Sequence, residues 1–109
     1  MSDSPRYMLV TCTLDTSKLA DFKHYVSHAR PIFAANGGKP VGQFATEATL
    51  FGDAETTHVI VMAFPSAQAI HAVFADPAYQ ALIPARTAAF PRLQILISSD
   101  FDPSSLMAS

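Results

Sequence analysis

With 109 residues, 50% of them hydrophobic and 15% charged, the chain is one domain with more apolar side chain than a small fold needs for its own core. The net charge of −2 argues against a nucleic-acid or anionic-membrane surface, and no run approaches the roughly 18 apolar residues of a membrane span. The lone cysteine, Cys12, cannot staple the fold; the opening MSDSPRYMLV lacks the basic start and cleavage site of a signal peptide, so a cytoplasmic location is expected.

Residues 1–5 read as a disordered leader before a domain over 6–101. From Arg6 to Leu14 the run YMLVTCTL is rich in β-formers and reads as a strand. One alternate set, Met8, Val10, Cys12 and Leu14, is wholly apolar; the other, Tyr7, Leu9, Thr11 and Thr13, is half so. Asp15, Thr16 and Ser17 offer N-caps for a helix whose ridge is Leu19, Phe22, Val26, Ala29 and Phe33, at spacings of three and four. Pro31 removes a hydrogen bond inside it and predicts a kink. Asn36-Gly37-Gly38 ends it.

Pro40 to Thr46 and Ala48 to Phe51 predict a strand with an irregular end, and Gly52-Asp53-Ala54-Glu55 a turn. HVIVMAF, His58 to Phe64, is the strongest strand, apolar on both faces. Ser66 caps the next helix, and Asp76-Pro77 starts another, on which Tyr79, Leu82, Ile83, Arg86 and Phe90 share one stripe. RLQILIS, Arg92 to Ser98, is the last strand. The remaining residues, 102–109 above all, read as a flexible tail.

The order β-α-β-β-α-β predicts an α+β, ferredoxin-like domain with a four-stranded antiparallel sheet. Two helices can cover only one face of such a sheet, yet two strands are apolar on both. A second sheet resolves this, and a twofold homodimer supplies it most simply. Burying even about 500 Å² of apolar sheet per subunit is worth about 12 kcal/mol before association costs.

Several segments resemble an uncharacterised bacterial family, domain of unknown function 1330, in the dimeric α/β-barrel superfamily. They are the Tyr7 strand, Lys23-His24-Tyr25-Val26-Ser27, Pro31-Ile32-Phe33, Gly37-Gly38, Gly52, Phe64-Pro65-Ser66, and Asp76-Pro77-Ala78-Tyr79-Gln80-Ala81-Leu82 leading to Arg86. The resemblance spans roughly residues 6–101 and implies that two sheets pair into a barrel. Superfamily relatives include cofactor-independent monooxygenases, muconolactone-type isomerases and dye-type peroxidases. The chain has Gln43-Phe44-Ala45 where the family tends to place Arg-Gly-Gly, and Phe51 where it tends to place a glutamate; both changes imply a more apolar pocket.

Arg86 is the sharpest chemical signal, because a guanidinium on an apolar stripe demands an acid, acceptors or a ligand anion. With Tyr79 it could grip a carboxylate or enolate oxygen; alternatively it braces the helix through an ion pair with Asp76 or another acid. Tyr25 is either core with one hydrogen bond or a ligand contact. His71 is a candidate general base. Phe64, with Met8, Met62, Phe44, Phe51 and Phe74, could line an apolar cavity or simply fill the core. His24 and His28, at i and i+4, can share a metal ion, but they lie opposite the apolar ridge and no metal site is expected. No phosphate loop, Cys-x-x-Cys pair or nucleophile elbow occurs, so no cofactor is expected.

The expectation is a homodimer that binds a small, mostly apolar organic molecule between sheet and helices. Its chemistry, if it is an enzyme, would be cofactor-independent oxygenation or isomerisation. The alternative is a non-catalytic binding or assembly module in which Arg86 is structural.

Overall fold

The alternation in the first strand decides which side of the sheet is core. β1 (Arg6–Thr13) turns Met8, Val10 and Cys12 to one side, where they are buried, while Tyr7, Leu9 and Thr11 on the other remain half-buried. It pairs antiparallel with β3 (His58–Phe64) and with β4 (Arg92–Ser98), and β2 (Lys39–Ala45) lies outside β3, in the order β2-β3-β1-β4. α1 (Leu19–Ala35) joins β1 to β2; α2 (Ala67–Ala75), α3 (Pro77–Gln80) and α4 (Ile83–Ala89) join β3 to β4. This is the predicted ferredoxin-like α+β arrangement. The computed structural model describes residues 4–52 and 55–107. Most of the expected leader (residues 1–3), the Asp53-Ala54 part of the predicted turn, and the last two tail residues lie outside the described residues.

The helices pack on one face. Tyr25, Ala29, Ile70, Val73, Tyr79, Leu82, Ala89 and Phe90 form a single buried cluster with Met8, Val10, Cys12, Met62 and Phe64 of the sheet. On the opposite face Leu9 stands between Val61 and Leu96 in register, and Tyr7 is paired with Ala63. Leu96 is 48% exposed there. The Cα envelope measures 51 × 39 × 18 Å, the thickness of two layers rather than three.

Local chemistry sets the boundaries of α1. Asp15 Oδ1 accepts a hydrogen bond from the Ser17 N–H (2.9 Å) and starts a 3-10 turn, Thr16–Lys18, that runs into α1. The helix continues past Pro31 to Ala35. It stops where Gly37 adopts φ +83°; there the Gly38 N–H donates to the Phe33 carbonyl (2.9 Å) and the Gly37 N–H to the Ala34 carbonyl (3.0 Å). That pair of bonds is a Schellman closure.

Two expectations need correction. Residues 48–51 form no strand: the Thr46 N–H bonds the Thr57 carbonyl (2.8 Å), after which Leu50 and Phe51 run out exposed. Apolar character without a facing strand does not create a ladder. The register slips between Pro40 and Gly42, leaving Val41 as a 61% exposed bulge residue. The helix expected from Pro77 through Phe90 is two pieces, because Pro84 has no N–H to give the Gln80 carbonyl. The chain tightens at Leu82, whose N–H bonds the Tyr79 carbonyl, and restarts one turn later. Leu82 and Phe90 stay buried, but the change of phase leaves Ile83 37% exposed. Within the expected tail, Ser104–Met107 form a short exposed helix (α5), which Asp102 Oδ1 caps by accepting from the Ser104 N–H.

Candidate functional site

Between α1 and the sheet lies a cavity of about 560 Å³, within the range that takes a drug-sized molecule. β1 contributes Met8, Val10 and Cys12 to its wall, β3 contributes Ile60 and Met62, β4 contributes Leu93 and Ile95, and α1 closes it with Phe22, Tyr25, Val26, Ala29 and Phe33. Phe44 of β2 and Phe74 of α2 add aromatic edges, and Phe90 stands beside Phe22 and Tyr25 in edge-to-face contact. The polar exceptions are few: Cys12, Tyr25, Arg30, Gln43 and His58. Burial pushes the Cys12 thiol above its ordinary pKa, so it remains a thiol and no nucleophile; its Sγ lies 3.7 Å from the His58 carbonyl.

Behind this wall, three helices, α1, α3 and α4, bring three polar groups together. Tyr25 Oη is 2.7 Å from Tyr79 Oη, and Arg86 Nη1 donates to Tyr79 Oη at 3.1 Å. The guanidinium carbon stands 5.8 Å from the centre of the Tyr79 ring, a cation–π contact. Tyr79 is 1% exposed and is packed on edge by Phe74 and Tyr25. Burial raises the Tyr25 pKa well above that of an ordinary tyrosine, so this hydroxyl keeps its proton.

The predicted site residues therefore divide. Arg86, Tyr79 and Tyr25 come together, but of the three only Tyr25 lines the cavity; Tyr79 is bonded to the Tyr25 hydroxyl and Arg86 to that of Tyr79. Among the described residues no carboxylate lies within 4.0 Å of Arg86, and Asp76, the brace considered for it, instead caps α3 by accepting from the Ala78 N–H. The Arg86 Nε is buried without a hydrogen-bond partner. Phe64 is 2% exposed and sits behind the lining, against Phe33 and the Gly38 backbone. His71 is exposed on α2 and does not line the cavity. His24 and His28 are exposed with rings 4.4 Å apart, and the His28 Nδ1 is 2.8 Å from the His24 carbonyl.

Arg30 and His58 were not singled out as pocket residues from the sequence, although the signals exist. His58 alternates in phase with Ile60, Met62 and Phe64, and Arg30 follows Val26 at i+4, at the margin of the apolar ridge. Of the other proposed lining residues, Met8, Met62, Phe44 and Phe74 are in place and Phe51 is 97% exposed.

A family model described as Domain of unknown function (DUF1330) matches residues 5–99. A crystal structure of a protein of unknown function from Rhodopseudomonas palustris is similar with a TM-score of 0.80 and 26% identity, over 93% of this chain and 85% of that one. SnoaB, a cofactor-independent oxygenase from Streptomyces nogalater, has the same fold at 14% identity (TM-score 0.64; 91% and 95% covered). So does a DABB-family protein with a ferredoxin-like fold from Mesorhizobium loti at 16% identity (TM-score 0.65; 92% and 100% covered). No curated protein matches the sequence.

Proposed function

Because the chain belongs to the DUF1330 family, whose description assigns no activity, we propose a function from its cavity: it binds a small, mostly apolar organic molecule between α1 and the sheet. The observation that carries this reading is an apolar space of about 560 Å³ lined by Tyr25, whose hydroxyl is tied through Tyr79 to the half-buried Arg86. A core that existed only for stability would close over such a space, since unfilled volume forfeits dispersion contacts. Arg86 and Tyr79 serve the ligand at one remove, by fixing the group that touches it.

The chemistry we assign to the site is proton transfer or oxygenation of an activated carbon without a bound cofactor. It suits an apolar chamber with few polar groups, and the shared fold of a cofactor-independent oxygenase supports it by analogy. The working unit is a homodimer, with a second sheet on the face of Leu9, Val61 and Leu96.

N-phenyl-1-naphthylamine, an uncharged apolar fluorophore, tests the binding step. It is expected to bind saturably, one per subunit, with a blue-shifted emission. Val26→Trp, which fills the cavity from α1, is expected to weaken it at least about tenfold. Unsaturable binding, or binding indifferent to Val26→Trp, would remove the cavity as the site.

A further inference from the structure

The direction of the hydroxyl chain follows from counting protons. Arg86 Nη1 has only hydrogens to give, so Tyr79 Oη accepts from it. The Tyr79 hydroxyl proton then needs an acceptor. At 1% exposure Tyr79 has little access to water, and among the described residues the remaining oxygen beside it is Tyr25 Oη, at 2.7 Å. Tyr79 therefore donates to Tyr25. Were the bond reversed, the Tyr79 proton would face a guanidinium and have nowhere to go. Tyr25 has now used its oxygen as an acceptor and still holds its own proton. Among the described residues no other group takes that proton, and Tyr25 alone of the three lines the cavity.

We infer that Tyr25 donates its proton to an oxygen of the bound molecule, with Arg86 setting the direction through Tyr79, and that the ligand class is an apolar ring compound carrying a carbonyl or phenolate oxygen. This rests on the cavity being the binding site. A negative charge growing on that oxygen is met by a chain of donors ending in a cation, Arg86 to Tyr79 to Tyr25, in a chamber with little water to compete. Tyr25 is the residue that touches the ligand; Arg86 and Tyr79 are positioning residues. The raised pKa of Tyr25 keeps it a donor across the neutral and mildly alkaline range.

The test compares 2-naphthol with naphthalene, which has the same rings and no oxygen. The ionisable groups facing the cavity are Cys12, Tyr25, Arg30 and His58, so variants of Tyr25 and Arg30 are both needed. The wild type is expected to bind 2-naphthol about tenfold or more tightly than naphthalene, and to lower the pH at which bound 2-naphthol becomes naphtholate. Tyr25→Phe should bring the two affinities together while leaving naphthalene binding in place, which shows the cavity intact. Arg86→Met should reduce the preference and raise the naphthol ionisation midpoint, again with naphthalene unaffected; a merely structural arginine would move neither. Tyr79→Phe should behave like Arg86→Met. A preference for 2-naphthol that survives Tyr25→Phe, or that Arg30→Met abolishes instead, overturns the inference. Failure of both probes to bind would overturn the cavity reading itself, a distinguishable result.

Discussion

At the scale of single residues, Tyr25 couples the site to stability. Its hydroxyl is held above the ordinary tyrosine range by burial. In the unfolded chain the same hydroxyl ionises near about pH 10. Below that pH both states carry the proton and the full stabilisation is present. Above it the unfolded chain gives up its proton while the folded one does not, so stability falls as pH rises towards the folded value. Thermal unfolding followed from pH 8 to 11 should therefore show Tm dropping past about pH 10, with a shallower drop in Tyr25→Phe. An identical slope in the variant would place the alkaline sensitivity elsewhere. Cys12, also shifted upward by burial, adds to the slope with the same sign and remains in both proteins.

At the scale of elements, the closure of α1 positions one wall of the cavity. Gly37 sits at φ +83°, and a Cβ there would lie 2.9 Å from the Pro65 Cδ, so alanine meets both backbone strain and a ring that cannot move freely. Gly37→Ala is expected to cost about 1–2 kcal/mol, read as a lower urea midpoint at unchanged slope. Gly52, at φ +101° with nothing within 4 Å of its Cβ position, separates the two contributions. Gly52→Ala should report strain alone and lose less. Equal losses would mean that the contact with Pro65 contributes nothing. The break at Pro84 is the other element-level device. By interrupting the helix it seats Tyr79 on one short piece and Arg86 on the next, seven residues later, within 3.1 Å of the same hydroxyl.

At the scale of the molecule, the helices cover one face of the sheet and the other carries Tyr7, Leu9, Val61 and Leu96 in register. The proposed dimer seals that face. A glutamate at Val61 would put an unpaired charge into such an interface, at a cost of several kcal/mol for each copy, while in a lone subunit it would meet water. Light scattering at micromolar concentration should therefore give twice the subunit mass for the wild type and one subunit for Val61→Glu, with unchanged circular dichroism. A wild type that scatters as a single subunit, or a Val61→Glu protein that remains paired, would exclude this face as the contact.

Much of the architecture was legible from the order of residue types. Period-two runs at Tyr7 and His58, a ridge at three and four through Phe22 and Val26, caps at Ser66 and Asp76 and a stop at Gly37 are local signals, and each acts within a few residues of itself. The partial burial of Arg86 without an acid was half visible: its stripe marked it as enclosed, but not what enclosed it. What tertiary structure alone decided was the company it keeps. Tyr25 and Tyr79 are 54 positions apart, and no periodicity specifies that their hydroxyls meet, since the contact depends on how α1 and α3 cross the same sheet. For the same reason the cavity takes Arg30 and His58 and leaves His71 outside. A pattern along the chain says which way a side chain faces within its own element; which other element stands opposite is set by packing.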